Sequence, residues 1–161
     1  MTDEQYQALE QYLRAVQGML LLGDWELFAW RERCSGQAWA YVEISEHRDT
    51  AWIKVAWPEF FDGCTREEQR LYLAHELVHV MTAPILRAFQ SFVGREEEES
   101  TKVYRSEHRK GVEIATHKMA RIIATMLPYP DFPRTKDLSQ NVGIPQNPNI
   151  AGVYVDSTRR A

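Results

Sequence analysis

Residues 66–81 leave this chain the least freedom. Thr65-Arg66-Glu67-Glu68 has the form of a capping box, in which the Thr65 hydroxyl accepts from the Glu68 amide and the Glu68 carboxylate reaches back to the Thr65 amide. Two acidic residues in the first turn suit the positive end of the helix dipole. The helix that follows carries Leu71, Leu73, Ala74, Leu77, Val78, Val80 and Met81, apolar on nearly every side. A helix of that kind must be buried. His75, Glu76 and His79 sit inside it and need partners, because an unpaired buried polar group costs several kcal/mol. The rest of the chain has to build a core around this helix. At 161 residues, 44% hydrophobic and 26% charged, it has the size and composition of one ordinary globular domain.

The other elements follow from periodicity. Tyr6, Leu9, Tyr12, Leu13, Val16, Met19 and Leu20 fall at three- and four-residue steps, which predicts a packing helix over the first 22 residues with Gly23 as its stop. Residues 25–30, 39–44 and 51–56 are rich in Trp, Val, Ile and Tyr and read as three strands, joined by turns at Ser35-Gly36 and residues 46–49. In the third, Trp52, Lys54 and Ala56 alternate with Ile53 and Val55, as on a strand with two distinct faces. The four tryptophans of this region read as core. Residues 58–63 read as a turn. Helical text resumes after Pro84 to Val93, where Gly94 interrupts it, and again over residues 97–127, where Gly111 could kink or split the helix. The acidic run at residues 96–99 reads as a solvated helix start. The expected organisation is one domain over residues 1–127. Residues 128–161 hold five of the seven prolines and read as an extended or partly disordered tail, with Val153-Tyr154-Val155 its one apolar run.

The chemistry lies in His75-Glu76-Leu77-Val78-His79. Residues four apart on a helix stand one above the other, so both imidazoles can face one metal ion. Glu76 lies about 100° off that line, poorly placed as a ligand but well placed beside a water held by the metal. Zinc lowers the pKa of such a water to about 7, and a neighbouring carboxylate can take its proton as it attacks a carbonyl. With five His and sixteen Glu, a shuffled chain would contain this spacing roughly once or twice in a hundred. The capped, buried helix around it is what gives the motif weight. A catalytic zinc takes three protein ligands and one open position. No third histidine follows at the next helical spacing, so the third ligand must come from elsewhere, and the last helix is the natural place to look. Glu113, Thr116, Ala120 and Ala124 lie near one stripe whose small residues allow close packing, which favours Glu113. His117, Glu107 and His108 are the competitors. His117 could also stand behind a ligand as its hydrogen-bond partner.

The string Tyr72-Leu73-Ala74-His75-Glu76-Leu77-Val78-His79-Val80, followed some thirty residues later by a helix opening with Glu113, resembles the minimal gluzincin-type, zincin-like metallopeptidases, several of which belong to phages and mobile elements. The resemblance implies an α+β fold. It would hold an N-terminal helix, a small three-stranded and mostly antiparallel sheet, the HExxH helix, a long C-terminal ligand helix and an extended tail. It implies one zinc per chain on His75, His79 and Glu113, with Glu76 as general base in peptide-bond hydrolysis. It also implies that the strand before the HExxH helix (Trp52, Ile53, Lys54, Val55 and Ala56) borders the cleft and offers its edge to a peptide. His117 and Tyr104 are candidates for oxyanion stabilisation or for a supporting role behind the ligands.

Two other readings compete with hydrolysis of a peptide or protein substrate. One is a catalytically idle zinc-binding interaction domain on the same scaffold, and the other a metal-free helical binding module. A net charge of −4 offers little to a nucleic-acid backbone. Arg105, Arg109, Lys110, Lys118 and Arg121 make only a modest patch of the kind usual on a solvated helix face. The N-terminus lacks the basic and apolar regions of a secretory signal, and Met19 to Leu22 is far too short to span a membrane, so a cytoplasmic location without membrane contact is expected. Cys34 and Cys64 fit no disulfide framework or metal knuckle and read as reduced thiols.

Overall fold

A computed structural model of the chain describes residues 1–34, 36, 38–45, 47–93 and 99–135. The fold is α+β, with four helices and one three-stranded mixed sheet.

Helix α1 (Asp3–Met19) opens with a capping box of its own: Thr2 Oγ1 accepts from the Gln5 amide at 3.2 Å, and Gln5 Oε1 accepts from the Thr2 amide at 3.1 Å. It buries Leu9, Tyr12, Leu13 and Val16, the stripe that periodicity predicts. It ends earlier than Gly23, and the left-handed residue beyond it is the exposed Leu21, at φ 54°. The strands are β1 (Glu26–Arg33), β2 (Ala40–Ile44) and β3 (Thr50–Val55), in the order β1-β3-β2. β3 runs parallel to β1 and antiparallel to β2. This corrects one expectation about the site. β3 is the central strand, hydrogen-bonded on both sides, so residues 52–55 cannot lend a free edge to a peptide. The open edge next to the long helices belongs to β2.

The sheet turns Leu27, Ala29, Ala40, Val42, Ala51, Ile53 and Val55 inward. α1 packs along β1, where the Glu10 carboxylate takes up the Ala29 amide. Of the tryptophans only Trp25 is fully buried. Trp30 and Trp52 pack edge to face on the outer side of the sheet with Lys54 over Trp30, so the expectation that these rings are core does not hold for them. Residues 58–63 contain a single-turn helix, α2 (Glu59–Asp62), which buries Phe60 and Phe61. Gly63 closes it because a Cβ there would lie 2.9 Å from the Glu59 carbonyl oxygen.

Helix α3 (Arg66–Val93) begins at the predicted cap. The Thr65 amide donates to Glu68 Oε2 at 2.8 Å and the Glu68 amide to Thr65 Oγ1 at 3.2 Å. It continues through Pro84, where a break was expected. Proline removes only one backbone donor, the one that would meet the Val80 carbonyl, and the helix continues without it. Leu73, Ala74, Leu77, Val78 and Val80 are sealed from solvent. Truncating a leucine such as Leu77 to alanine would cost about 2–5 kcal/mol.

Helix α4 (Glu99–Met126) runs unbroken through Gly111 and packs on α3 through Thr116, Ala120 and Ala124, the predicted small-residue stripe. The acidic run falls mostly at 94–98, outside the described residues. After α4 the chain runs without helix or strand to Thr135, yet it is docked and not a free arm. Phe132 packs against Tyr12, Phe60 and Phe61. The Tyr12 hydroxyl donates to the Pro128 carbonyl at 3.0 Å, and Gln5 Nε2 to the Pro133 carbonyl at 3.2 Å. The remainder of the tail, with Val153-Tyr154-Val155, lies outside the described residues. No helix among the described residues is long and apolar enough to cross a membrane, and Cys34 and Cys64 are buried free thiols.

Candidate metal centre

The cap at Thr65 fixes where α3 starts, and the apolar residues around it fix its rotation. His75 and His79 therefore face α4 and the cleft, both partly buried. Thr116, Ala120 and Ala124 let α4 approach closely, and Glu113, one turn beyond that seam, meets the two imidazoles. His75 Nε2 lies 3.6 Å from one Glu113 carboxylate oxygen and His79 Nε2 3.6 Å from the other. The two Nε2 atoms are 3.1 Å apart. One donor atom from each residue can be chosen so that all lie within 4.8 Å of one another.

These separations suit a metal. Ligands at about 2.0–2.2 Å from a tetrahedral zinc are spaced about 3.3–3.6 Å apart, close to the 3.1 Å between the two nitrogens and to the 3.6 Å from each nitrogen to one or the other Glu113 oxygen. Two nitrogens and a carboxylate oxygen also make a donor set common for catalytic zinc. Two neutral imidazoles whose Nε2 lone pairs face each other at 3.1 Å repel unless a proton or a cation lies between them.

The same crowding sets the proton affinities. Burial pulls His75 down, but the hydrogen bond to Glu113 and the charges of Glu76 and Glu113 outweigh it, and its pKa ends above the ordinary value. His79 is held below its ordinary value by burial and by repulsion from a charged His75, despite the opposing charge of Glu113. The hydrogen bond from His75 holds Glu113 below the ordinary carboxylate range. In the metal-free chain these shifts favour a proton on His75 over one on Glu113, and a metal would compete with that proton.

Glu76 is buried beside this trio and against β2. Burial pushes its carboxyl up to about 7, with the nearby charge of Glu113 adding to the rise. The charge of His75 and the backbone N–H of Val42 oppose it. The role of Val42 follows from register. The Ser45 amide donates to the Thr50 carbonyl and the Ala56 amide to the Trp39 carbonyl, so the bonded pairs of β2 and β3 are those of Trp39, Tyr41, Glu43 and Ser45. Ala40, Val42 and Ile44 therefore direct their backbone groups away from β3. The Val42 N–H meets Glu76 on that open edge.

Of the four residues that the sequence singles out, the structure groups His75, His79 and Glu113, with Glu76 buried next to His75 on the same helix. His117 stands behind them, its ring 6.3 Å from that of His75, and it is not among the grouped donors. Burial, Arg121 and His75 hold it below its ordinary value, so it is a neutral imidazole near pH 7. The two remaining competitors are engaged elsewhere: Glu107 pairs with Lys110 at 3.1 Å, and His108 stacks on Phe89 with ring centroids 3.7 Å apart. The Tyr104 side chain lies outside the described residues. Trp52 and Lys54 occupy the outer face of the sheet and Ile53 and Val55 the core, so none of them lines the centre. One residue that touches the site escaped sequence reasoning, namely Val42, through its N–H to Glu76. The alternation of β2 could have flagged Val42 once the strand order was known.

No protein-family model matches this chain, and neither does any curated protein or solved structure.

Proposed function

We propose that the protein is a zinc-dependent hydrolase of peptide bonds, with a zincin-like arrangement of helix, sheet, HExxH helix and ligand helix. One observation carries this reading: His75, His79 and Glu113 converge at metal-ligand spacing while a buried Glu76 sits beside them with its carboxyl raised to about 7. His75 and His79 would hold the ion through Nε2, and Glu113 through its carboxylate. A zinc ion there supplies Lewis-acid polarisation of a carbonyl and makes water acidic enough to ionise near neutral pH.

The chain's own groups do the rest. Glu76 accepts the proton of the attacking water and returns it to the leaving amine, and a base whose pKa lies near the working pH is best matched to both transfers. The Val42 N–H fixes the orientation of the carboxylate. Ala40 and Ile44, whose backbone groups point away from β3, and the Val42 carbonyl would form the β2 edge to which an extended peptide can add as a strand. His117, its ring 6.3 Å from that of His75, would be the nearest further imidazole to donate to developing negative charge.

Elemental analysis of the untagged protein is the direct test. About one zinc per chain, absent from a His75→Ala/His79→Ala double variant, is the expected result, and no zinc after reconstitution would end the proposal. Glu76→Gln should then keep the zinc and lose peptide cleavage. A Glu76→Gln protein that equals the wild type in every functional assay would turn the reading toward a zinc-holding interaction domain.

A further inference from the structure

The candidate centre is flanked by unpaired cations in a chain whose net charge is −4. Arg109, Glu113, His117 and Arg121 follow one another at four-residue steps and form one ridge of α4. The neighbouring ridge of Thr116, Ala120 and Ala124 is buried in the seam with α3, so the ridge of Glu113 is the rim of that seam. Arg109, Glu113 and Arg121 are exposed along it. Both guanidiniums bear on the centre: the charge of Arg109 acts on Glu113, and that of Arg121 on His117, which His75 also reaches. Elsewhere the fold neutralises its cations. Arg31, Arg33, Lys54, Arg66 and Arg87 each meet a carboxylate. Arg109 and Arg121 make no ion pair among the described residues.

From the proposal of a peptide hydrolase, on which this step rests, we infer that the substrate is an acidic segment of peptide or protein, whose Asp or Glu side chains are received by Arg109 and Arg121 on either side of Glu113. Helix rise sets the spacing. Arg109 stands about 6 Å to one side of Glu113 and Arg121 about 12 Å to the other. An extended peptide advances about 3.3 Å per residue, so the two cations answer carboxylates about two residues away on one side and about four on the other. Charge sets the class. A guanidinium offers paired donors that match a carboxylate. A basic segment would meet two guanidiniums and a bound dication, all of its own sign. Two guanidiniums about 18 Å apart along the helix, with the Glu113 carboxylate between them, suit spaced carboxylates and not a continuous phosphate backbone.

The test uses the full-length, zinc-loaded protein and blocked tripeptides of Ala, Asp or Lys that carry a hydroxamate at one end or the other, with dissociation constants from calorimetry. In at least one series the Asp probe should bind about tenfold tighter than the Lys probe at low salt. That ratio should fall to under about twofold at about 1 M salt, where charges are screened beyond about 3 Å. Arg109→Glu/Arg121→Glu should reverse the order, so that the Lys probe binds the tighter, with zinc content unchanged and the Ala probe still bound. A reversal is a result that damage to the fold cannot produce. Equal binding of the Asp and Lys probes by the wild type overturns the inference, as does an order that the double variant retains. So does displacement of the Asp probe by a thymidine oligonucleotide at lower concentration than by an Asp hexapeptide, which would make the rim a nucleic-acid contact. In each of these cases zinc content and binding of the Ala probe still support the metal centre. A chain that takes up no zinc, or holds zinc and binds no hydroxamate, fails at the earlier step, and the inference falls with it.

Discussion

Two groups of polar side chains lie on α3 little more than a turn apart, and they are built on opposite plans. Arg70 is nearly buried, and the fold supplies its partners: both Glu67 carboxylate oxygens at 2.8 and 2.9 Å, the Leu127 carbonyl at 3.3 Å and the Tyr129 ring at 3.9 Å. Only its Nε lacks a partner among the described residues. Donors meet acceptors, and the group ties the end of α4 to the start of α3. In the group of His75, His79 and Glu113, acceptors outnumber donors: His75 serves Glu113, and the two imidazole Nε2 atoms still face each other at 3.1 Å. Two imidazole nitrogens and a carboxylate converge with fewer protons than lone pairs. The first group is complete as folded, whereas the second has capacity left for a cation. A buried polar cluster thus points to function by the sign of what it lacks more than by its burial.

The comparison breaks most visibly in turnover. Glu76→Gln should lower kcat on a cleaved peptide by about 10²–10⁴-fold with zinc content unchanged. A variant that retains turnover would remove Glu76 from the chemistry. Next comes metal linkage. Zinc at a hundred times its dissociation constant should stabilise the wild type by about 2.7 kcal/mol in denaturant titrations and leave His75→Ala/His79→Ala unchanged. Equal stabilisation of both would place the metal elsewhere.

The metal-free protein should also show the cost of burying Glu76. Its folded pKa, about 7, lies above the ordinary 4.5, so the folded chain binds the extra proton between those values. The associated stability is fully present below pH 4.5 and is lost as pH rises through 7. Relative to Glu76→Gln in chelator, the wild type should weaken by on the order of 2–3 kcal/mol over that window. Parallel stability curves for the two proteins would contradict the buried, raised carboxyl. The smallest effect belongs to the complete cluster. Arg70→Ala should cost about 1–3 kcal/mol by stranding the Leu127 carbonyl, equally with and without zinc. A loss of zinc stoichiometry in that variant would show that the two clusters are coupled.

What the sequence disclosed and what it concealed divide along the range of the interactions. The Thr65 cap and the facing of His75 and His79 depend on residues three or four apart, and both were legible. Glu113 was legible at one remove, because Thr116, Ala120 and Ala124 marked the face of α4 that had to pack closely. The order of the strands was not. Nothing local in residues 50–55 says that β3 is paired on both sides, so the open edge was assigned to β3 instead of β2, and the contact of Val42 with Glu76 went unseen. Trp30 and Trp52 shared that difficulty, since their burial depends on which face of the sheet the helices cover. Pro84 and the prolines after Leu127 misled for another reason. Proline reports a missing donor and a fixed φ, which limit hydrogen bonding but do not stop a helix from continuing or Phe132 from packing.

The docked segment after α4 also bears on how the protein is made. Gln5 and its carbonyl partner at Pro133 are 128 residues apart, and Tyr12 waits nearly as long for Phe132. At about 5–20 residues per second, a ribosome takes roughly 6–25 seconds to synthesise that interval. For most of it α1 is complete and has one flank uncovered. The first helix translated is among the last to be completed, and a nascent chain halted before Phe132 would expose an unfinished flank to chaperones and proteases.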